Sequence, residues 1–136
     1  MVLPFAVGII LNEESKILLG KHPLLNRKPY PGFWDLPGGK TEPNETIKDG
    51  LKREILEETG FNVIGYQGCG EFHHSKDLGT ITKECTSDIP SLCICYKLQV
   101  EGEFKPQEME NMNWFSKEDA LKLQLTPWTR FFLEKL

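Results

Sequence analysis

Three glutamates, Glu54, Glu57 and Glu58, lie close together in a stretch that has the apolar spacing of a helix. On a helix these positions are i, i+3 and i+4, so the three carboxylates share one face. Each pair at about 5 Å repels by roughly 3 kcal/mol at an effective dielectric constant near 20. Arg53 can pair with Glu57, and a divalent cation would turn the remaining repulsion into attraction. Oxygen ligands of this kind favour Mg²⁺, Mn²⁺ or Ca²⁺ over zinc.

The helix that presents these carboxylates is expected to run from roughly residue 46 to residue 59. Asn44 or Thr46 can cap its N-terminus, and Gly60 can end it in a left-handed conformation. Its apolar residues recur at helical spacing and form a stripe on a different face, namely Ile47, Leu51, Ile55 and Leu56. Taken alone, the glutamates also fit an acidic, solvated helix face without a function.

The spacing of the whole stretch resembles the Nudix box. Gly39 is followed after five residues by Glu45 and after seven more by Arg53-Glu54-Ile55, and the stretch ends at Phe61. The pattern G-x5-E-x7-R-E-U-x-E-E-x-G-U, in which U is apolar, is filled at every fixed position. From average residue usage, a chance match at one starting position is on the order of 10⁻⁹. This specificity favours a functional site over a plain acidic face.

The resemblance implies a role for each polar residue of the box. The family's metal ligands correspond to Glu54, Glu57, Glu58 and the backbone carbonyl of Gly38. Its supporting ion pairs correspond to Arg53 and Glu45, which would hold the carboxylates in register. The expected cofactor is Mg²⁺, with Mn²⁺ as a substitute.

A further carboxylate from outside the box often serves such enzymes as a base or an extra ligand. Glu108 is the first candidate and Glu110 the second, because both lie just before Trp114. Each of them equally fits a solvated surface glutamate.

The substrate-binding candidates lie just before the box. Residues 21–33 are predicted to form a loop rich in proline, in which Arg27 and Lys28 could meet substrate phosphates. An exposed, solvated loop is the alternative. Trp34 could stack on a base, although core packing of this tryptophan is favoured.

Nudix enzymes hydrolyse a nucleoside diphosphate linked to another group, and this resemblance implies the same chemistry here. The segment PGFWDLPGGKTE is similar to the approach to the box in MutT-type members, which cleave nucleoside triphosphates, including oxidised ones, to a monophosphate and pyrophosphate. Lys76 and Leu78 stand where ADP-ribose and dinucleoside-polyphosphate hydrolases often carry a proline and a tyrosine. ADP-ribose or a nucleotide sugar is the second hypothesis. A non-catalytic, nucleotide-binding regulatory domain and a calcium-binding acidic domain are hypotheses of other classes.

The composition is that of one globular domain over residues 1–136. A net charge of −4 disfavours a general nucleic-acid-binding role, and no apolar run is long enough to cross a bilayer. The resemblance implies a small-molecule nucleotide as the partner, and no nucleic-acid or membrane partner is expected. A monomer or homodimer in the cytoplasm is the expected state. The cysteines contain no CxxC pair, so buried thiols in a reducing cytosol are favoured over a zinc site with His73 and His74; they are Cys69, Cys85, Cys93 and Cys95.

The residue pattern alone supports an α/β or α+β fold, and the resemblance implies the Nudix α/β/α sandwich with a central mixed sheet. Strands are predicted at residues 5–11, 16–20, 33–36, 62–72, 78–86, 91–100 and 114–115. The first two strands are expected to form a hairpin of the central sheet. After the box helix, Ser116 is predicted to start a helix that reaches residue 124, and Thr126 is predicted to cap the last helix.

Overall fold

The computed structural model describes residues 2–24, 30–85, 89–106 and 111–136. The strands in these ranges are β1 (Leu3–Ile9), β2 (Ile17–Lys21), β3 (Trp34–Asp35), β4 (Gly38–Lys40), β5 (Asn62–His74), β6 (Ser91–Glu101) and β7 (Met112–Phe115). The helices are α1 (Ile47–Thr59), α2 (Lys117–Ala120) and α3 (Pro127–Glu134). No helix in these ranges is both long and apolar enough to span a membrane.

The strands form two sheets. The larger sheet has the order β4-β1-β6-β5 and is mixed, because β1 runs parallel to β6 while the other pairs are antiparallel. The smaller sheet has the order β3-β2-β7 and is antiparallel throughout. The predicted mixed sheet is thus confirmed. The predicted hairpin forms only near its turn, where Leu11 makes an antiparallel bridge with Ile17, and its second strand does not join the mixed sheet. The chain turns at Asn12, whose side chain accepts two backbone hydrogen bonds, and β2 then leaves for the second sheet.

Helices pack on both faces of the mixed sheet, which confirms the sandwich. Consecutive residues of β1 point to opposite sides, so Ala6 joins the core beneath α1 while Val7 joins the core beneath α3. Leu51 and Ile55 of α1 are almost fully buried in the first core. The second core is built around aromatic side chains of α3 and its neighbours, including Tyr30, Phe33, Trp128 and Phe132.

Helix α1 forms as predicted, apart from one apolar position. Thr46 is its N-cap and accepts a hydrogen bond from the Asp49 backbone at 3.1 Å, and Gly60 ends it with φ of +80°. Leu56, which the pattern placed in the buried stripe, is 51% exposed. Leu56 follows Ile55 by only about 100° around the helix, and the inward face ends before reaching it.

Several predicted boundaries are also corrected. Gly38 and Gly39, which lie beyond the predicted strand at residues 33–36, belong to β4 and pair with β1. Strand β5 continues through His73 and His74, beyond the predicted end at residue 72. No strand forms in the described part of residues 78–86, where Thr80 folds back onto Ser75. Helix α2 ends at Ala120 instead of residue 124.

The buried pair Tyr30 and His74 makes stability sensitive to acid. The Tyr30 hydroxyl lies 2.7 Å from His74 Nε2, and burial lowers the pKa of His74 below its ordinary value of 6.5. The folded state therefore prefers the neutral imidazole, whereas the unfolded chain takes up a proton below about pH 6.5. This contribution to stability is complete above the unfolded pKa and is lost as the pH falls towards the folded pKa.

We expect the free energy of unfolding to fall between pH 7.5 and pH 5.5 by less in His74→Gln than in the wild type. Urea titrations at both pH values measure this difference. His73→Gln is the matched control, because His73 is the neighbouring histidine with a side chain that is 54% exposed. Equal pH dependence in the His74 and His73 variants would show that His74 does not supply this acid sensitivity.

Candidate active site

Two glycines bring the start of the box against the sheet. Gly38 has φ of +149°, and a Cβ at this position would lie 2.0 Å from the Ala6 carbonyl oxygen. A Cβ at Gly39 would lie 2.7 Å from Cδ of Glu54. The backbone of β4 can therefore lie directly against β1 on one side and the Glu54 carboxylate on the other only because both residues lack a side chain.

The C-terminal half of α1 carries the glutamates to this backbone. Glu58 is only 6% exposed, and its carboxylate accepts a long hydrogen bond of 3.3 Å from the Gly38 backbone N–H. The Glu54 side chain is 20% exposed and the Glu57 side chain 45%. Among the three predicted ligands, exposure thus decreases from Glu57 through Glu54 to Glu58, which contacts the half-buried Gly38 backbone.

Arg53 joins the acidic residues into one network. Its guanidinium donates two hydrogen bonds to Glu45, from Nε at 3.1 Å and from Nη2 at 2.8 Å. Nη1 donates to Glu54 at 3.0 Å and to Glu57 at 3.4 Å. The pairing of Arg53 with Glu57 that the helical spacing predicted is therefore present, and so is the contact with Glu45 that the resemblance implied. The structure adds the contact to Glu54.

The network fixes the charge state of both partners. The hydrogen bond from Arg53, with a backbone bond at Glu42, lowers the pKa of the Glu45 carboxyl. The hydrogen bond to Glu45 in turn raises the pKa of Arg53. Both groups are therefore ionised at neutral pH, and Arg53 cancels part of the repulsion that three neighbouring glutamates impose on α1.

The donor set has the chemistry that a hard divalent cation needs. Glu54, Glu57, Glu58 and the Gly38 carbonyl offer oxygen atoms only, on one side of a glycine backbone that leaves room for close approach. Within the described ranges, no three His, Cys, Asp or Glu side chains are already gathered as a metal cluster. This holds for the alternative zinc site too, because His74 binds Tyr30 and the thiols of Cys93 and Cys95 are buried.

The other predicted residues are only partly placed. Trp34 packs edge-to-face on Phe115 with ring centroids 5.1 Å apart, in agreement with the favoured core role. The phosphate-binding candidates Arg27 and Lys28 and the carboxylate candidates Glu108 and Glu110 lie outside the described residues. Their predicted roles remain predictions.

Asp35, which is not among the predicted site residues, is a centre of hydrogen bonding in the structure. Its carboxylate receives hydrogen bonds from Thr126, Trp128 and Thr129, and His22 lies 2.9 Å away. The available signal was an acidic residue between two apolar ones, Trp34 and Leu36, directly before the glycines. A charge in such a position must find partners when it is buried.

Comparison with known proteins identifies the family. Residues 2–136 match the NUDIX domain. A Bacillus subtilis protein provisionally named as an 8-oxo-dGTP diphosphatase is 52% identical over 71 residues, which are 52% of this chain and 44% of that protein. The Escherichia coli CTP pyrophosphohydrolase is 30% identical over 89% of this chain and 82% of its own length. The alignment thus spans less than half of the Bacillus relative.

A solved structure shares the whole fold. The crystal structure of a MutT NUDIX hydrolase from Burkholderia pseudomallei superposes with a TM-score of 0.82 at 27% identity, covering 100% of this chain and 98% of the other. The chain belongs to the Nudix family and is a Nudix hydrolase. Hydrolases of this family generally use a divalent metal and act on nucleotide-derived substrates.

Replacing Arg53 tests the network. We expect Arg53→Lys to raise the Mg²⁺ concentration for half-maximal hydrolysis by about 10- to 100-fold, because lysine cannot donate to Glu45 and Glu54 in the same planar arrangement. Metal titrations of the initial rate measure this change. Arg130→Lys is the matched control, because Arg130 donates only to carbonyls of residues 121 and 123 among its described contacts. An unchanged Mg²⁺ requirement in Arg53→Lys would contradict the role of the network.

Proposed function

We propose that this chain is a Mg²⁺-dependent pyrophosphohydrolase that cleaves a nucleoside triphosphate, including oxidised forms such as 8-oxo-dGTP, to a nucleoside monophosphate and pyrophosphate. Mn²⁺ is the expected substitute for Mg²⁺. The observation that carries the proposal is that Glu54 and Glu58 lie against the Gly38-Gly39 backbone, while Arg53 pairs Glu54 with Glu57 on the same helix.

The arrangement suits hydrolysis of a polyphosphate. A triphosphate is multiply negative, so a site made of carboxylates can accept it only with a cation between them. When bound, a divalent ion neutralises phosphate oxygens and lowers the pKa of coordinated water. Glu54, Glu57 and Glu58 would hold that ion with the Gly38 carbonyl. Glu57 is the most exposed of the three, which supports assigning it the further task of orienting an attacking water.

Arg53 has a different task in this proposal. It keeps Glu54 and Glu57 turned towards the same side of α1 in the absence of the cation, since both accept from its Nη1 atom. Glu45 holds the other edge of the guanidinium. This paired edge limits the rotation of the arginine, and the carboxylates are thereby preorganised for the ion.

The choice of a triphosphate rests on relatives and on the segment before the box. The names of the Bacillus subtilis and Escherichia coli relatives both describe hydrolysis of nucleoside triphosphates. The first name favours 8-oxo-dGTP and the second favours CTP, so base preference is the quantity to measure.

We expect Glu57→Gln and Glu58→Gln to fold normally and to lose about 100-fold or more in turnover. Each variant removes a negatively charged oxygen ligand of the metal. A bound metal stabilises the transition state by several kcal/mol, and each loss of about 1.4 kcal/mol lowers the rate about tenfold. Initial rates at saturating Mg²⁺ measure the turnover, and circular dichroism measures the folding. Glu71→Gln, at an exposed position of β5, is the matched control. A near-normal rate in either active-site variant would remove that glutamate from the ligand set.

A substrate panel tests the reaction itself. Purified protein with Mg²⁺ is given dNTPs, CTP, 8-oxo-dGTP, ADP-ribose, nucleotide sugars and diadenosine polyphosphates, with a chelator control. Monophosphate and pyrophosphate from a triphosphate, abolished by chelator, are the expected products. AMP with ribose 5-phosphate from ADP-ribose alone would replace the triphosphate proposal by the second hypothesis. Tight binding without any product would favour a regulatory domain.

A further inference from the structure

Asp35 forms a hydrogen-bonded centre that joins α3 to the strand entering the active site. Its Oδ1 atom accepts from Thr129 Oγ1 at 2.7 Å, from Trp128 Nε1 at 2.8 Å and from Thr126 Oγ1 at 3.2 Å. His22 Nε2 lies 2.9 Å from the other oxygen. The Asp35 side chain is 14% exposed, so this carboxylate has replaced most of its water by protein donors.

These donors come from the start of α3, where a threonine side chain commonly caps the helix. Thr126 is the N-cap of α3, but its side chain makes no capping bond within the helix. Its hydroxyl instead reaches Asp35 and Thr129. The predicted N-cap position of Thr126 is thus confirmed, but its side chain binds Asp35 of β3 instead of capping α3.

The same turn also holds the backbone just beyond Asp35. Thr129 is fully buried, and its hydroxyl accepts a hydrogen bond from the Leu36 backbone N–H at 3.2 Å while donating to Asp35. The next residue, Pro37, offers its carbonyl to the Gly8 N–H at 2.9 Å. Gly38 follows immediately and donates to Glu58. The chain between Asp35 and Gly38 is therefore held by hydrogen bonds at each step.

We propose that Asp35 is a positioning residue for the metal-binding backbone, acting with Thr129 to fix the Gly38 carbonyl relative to the glutamates of α1. This inference rests on the proposed function, because it takes Gly38 and the box glutamates as the ligand set. Asp35 itself lies three residues before Gly38 and is occupied by donors from α3, so it acts through the backbone.

The need for such a device follows from the geometry at Gly38. Glycine has no side chain that could anchor it, and its contacts with β1 and with Glu58 fix it only from two sides. Metal–oxygen distances tolerate deviations of only about 0.2 Å. A backbone that can shift along β1 would therefore bind the ion weakly. Thr129 restrains the chain before Gly38 because its hydroxyl is hydrogen-bonded to both Asp35 and the Leu36 N–H.

Thr129 offers the sharpest test because two substitutions distinguish the effect of losing its hydroxyl from the effect of changing its volume. Thr129→Val keeps the volume and removes the three hydrogen bonds of the hydroxyl, with Asp35, Leu36 and Thr126. Thr129→Ser keeps the hydroxyl and loses only a methyl group. Mn²⁺ is the probe, and its binding is followed by the loss of the free-ion signal in electron paramagnetic resonance, without any substrate. Asp35→Asn is measured in parallel, and circular dichroism with thermal melts reports on folding.

Thr80→Val serves as the matched control for a lost threonine hydroxyl. The Thr80 hydroxyl also makes two strong backbone contacts, at 2.7 Å to the Ser75 N–H and at 2.8 Å to the His73 carbonyl, but it lies in the loop after β5. Its loss affects stability without reaching the box.

We expect Thr129→Val to weaken Mn²⁺ binding by about tenfold or more, in the range seen when groups that orient metal ligands are removed. Thr129→Ser and Thr80→Val should bind Mn²⁺ within about twofold of the wild type. If Asp35→Asn folds, it should weaken Mn²⁺ binding at least as much as Thr129→Val. If it does not fold, the comparison of Thr129→Val with Thr129→Ser decides whether the positioning role holds. Wild-type affinity in Thr129→Val, with or without a lower melting temperature, would overturn the positioning role. Absence of Mn²⁺ binding in the wild type would instead overturn the proposed function from which the inference starts.

Discussion

The charge distribution around Arg53 is the constraint on which the site depends. One guanidinium contacts Glu45, Glu54 and Glu57, and the first of these has its pKa lowered by that contact. Without the arginine, the carboxylates of α1 would repel each other and turn into solvent. The helix would then present separated negative charges instead of a directed set. The arginine thus stabilises a structure that keeps an excess of acidic oxygen atoms on one side.

The glycines supply the second half of the same constraint. Carboxylates on a helix can converge on a backbone only if the backbone comes close, and a Cβ at Gly39 would collide with Glu54. The position of β4 between β1 and α1 therefore depends on two residues, Gly38 and Gly39, that have no side chain. The sheet contributes rigidity, since β1 is buried in the middle of the mixed sheet and pairs with β4 on one edge and β6 on the other.

The sequence predicts this site better than it predicts the sheets around it. Helix α1, its Thr46 cap and the Arg53–Glu57 pair follow from local spacing, which requires no knowledge of distant residues. The partner of a strand is a long-range choice, and the apolar pattern of β2 cannot distinguish pairing with β1 from pairing with β3 and β7. Asp35 was missed for the same reason. Its donors lie more than 90 residues further along the chain, as the 94-residue separation from Thr129 illustrates.

That separation also bears on how the protein is made. During synthesis the chain emerges from its N-terminus, so β3, β4 and α1 are available long before the first turn of α3. The box helix can form early from local contacts, yet the donors that surround Asp35 must wait for residues 126–129. Closing such a long loop is entropically costly and is repaid only when the core beneath α3 assembles. A nascent chain therefore carries every carboxylate of the box for some time while Asp35 is still hydrated and has not yet met its donors from α3.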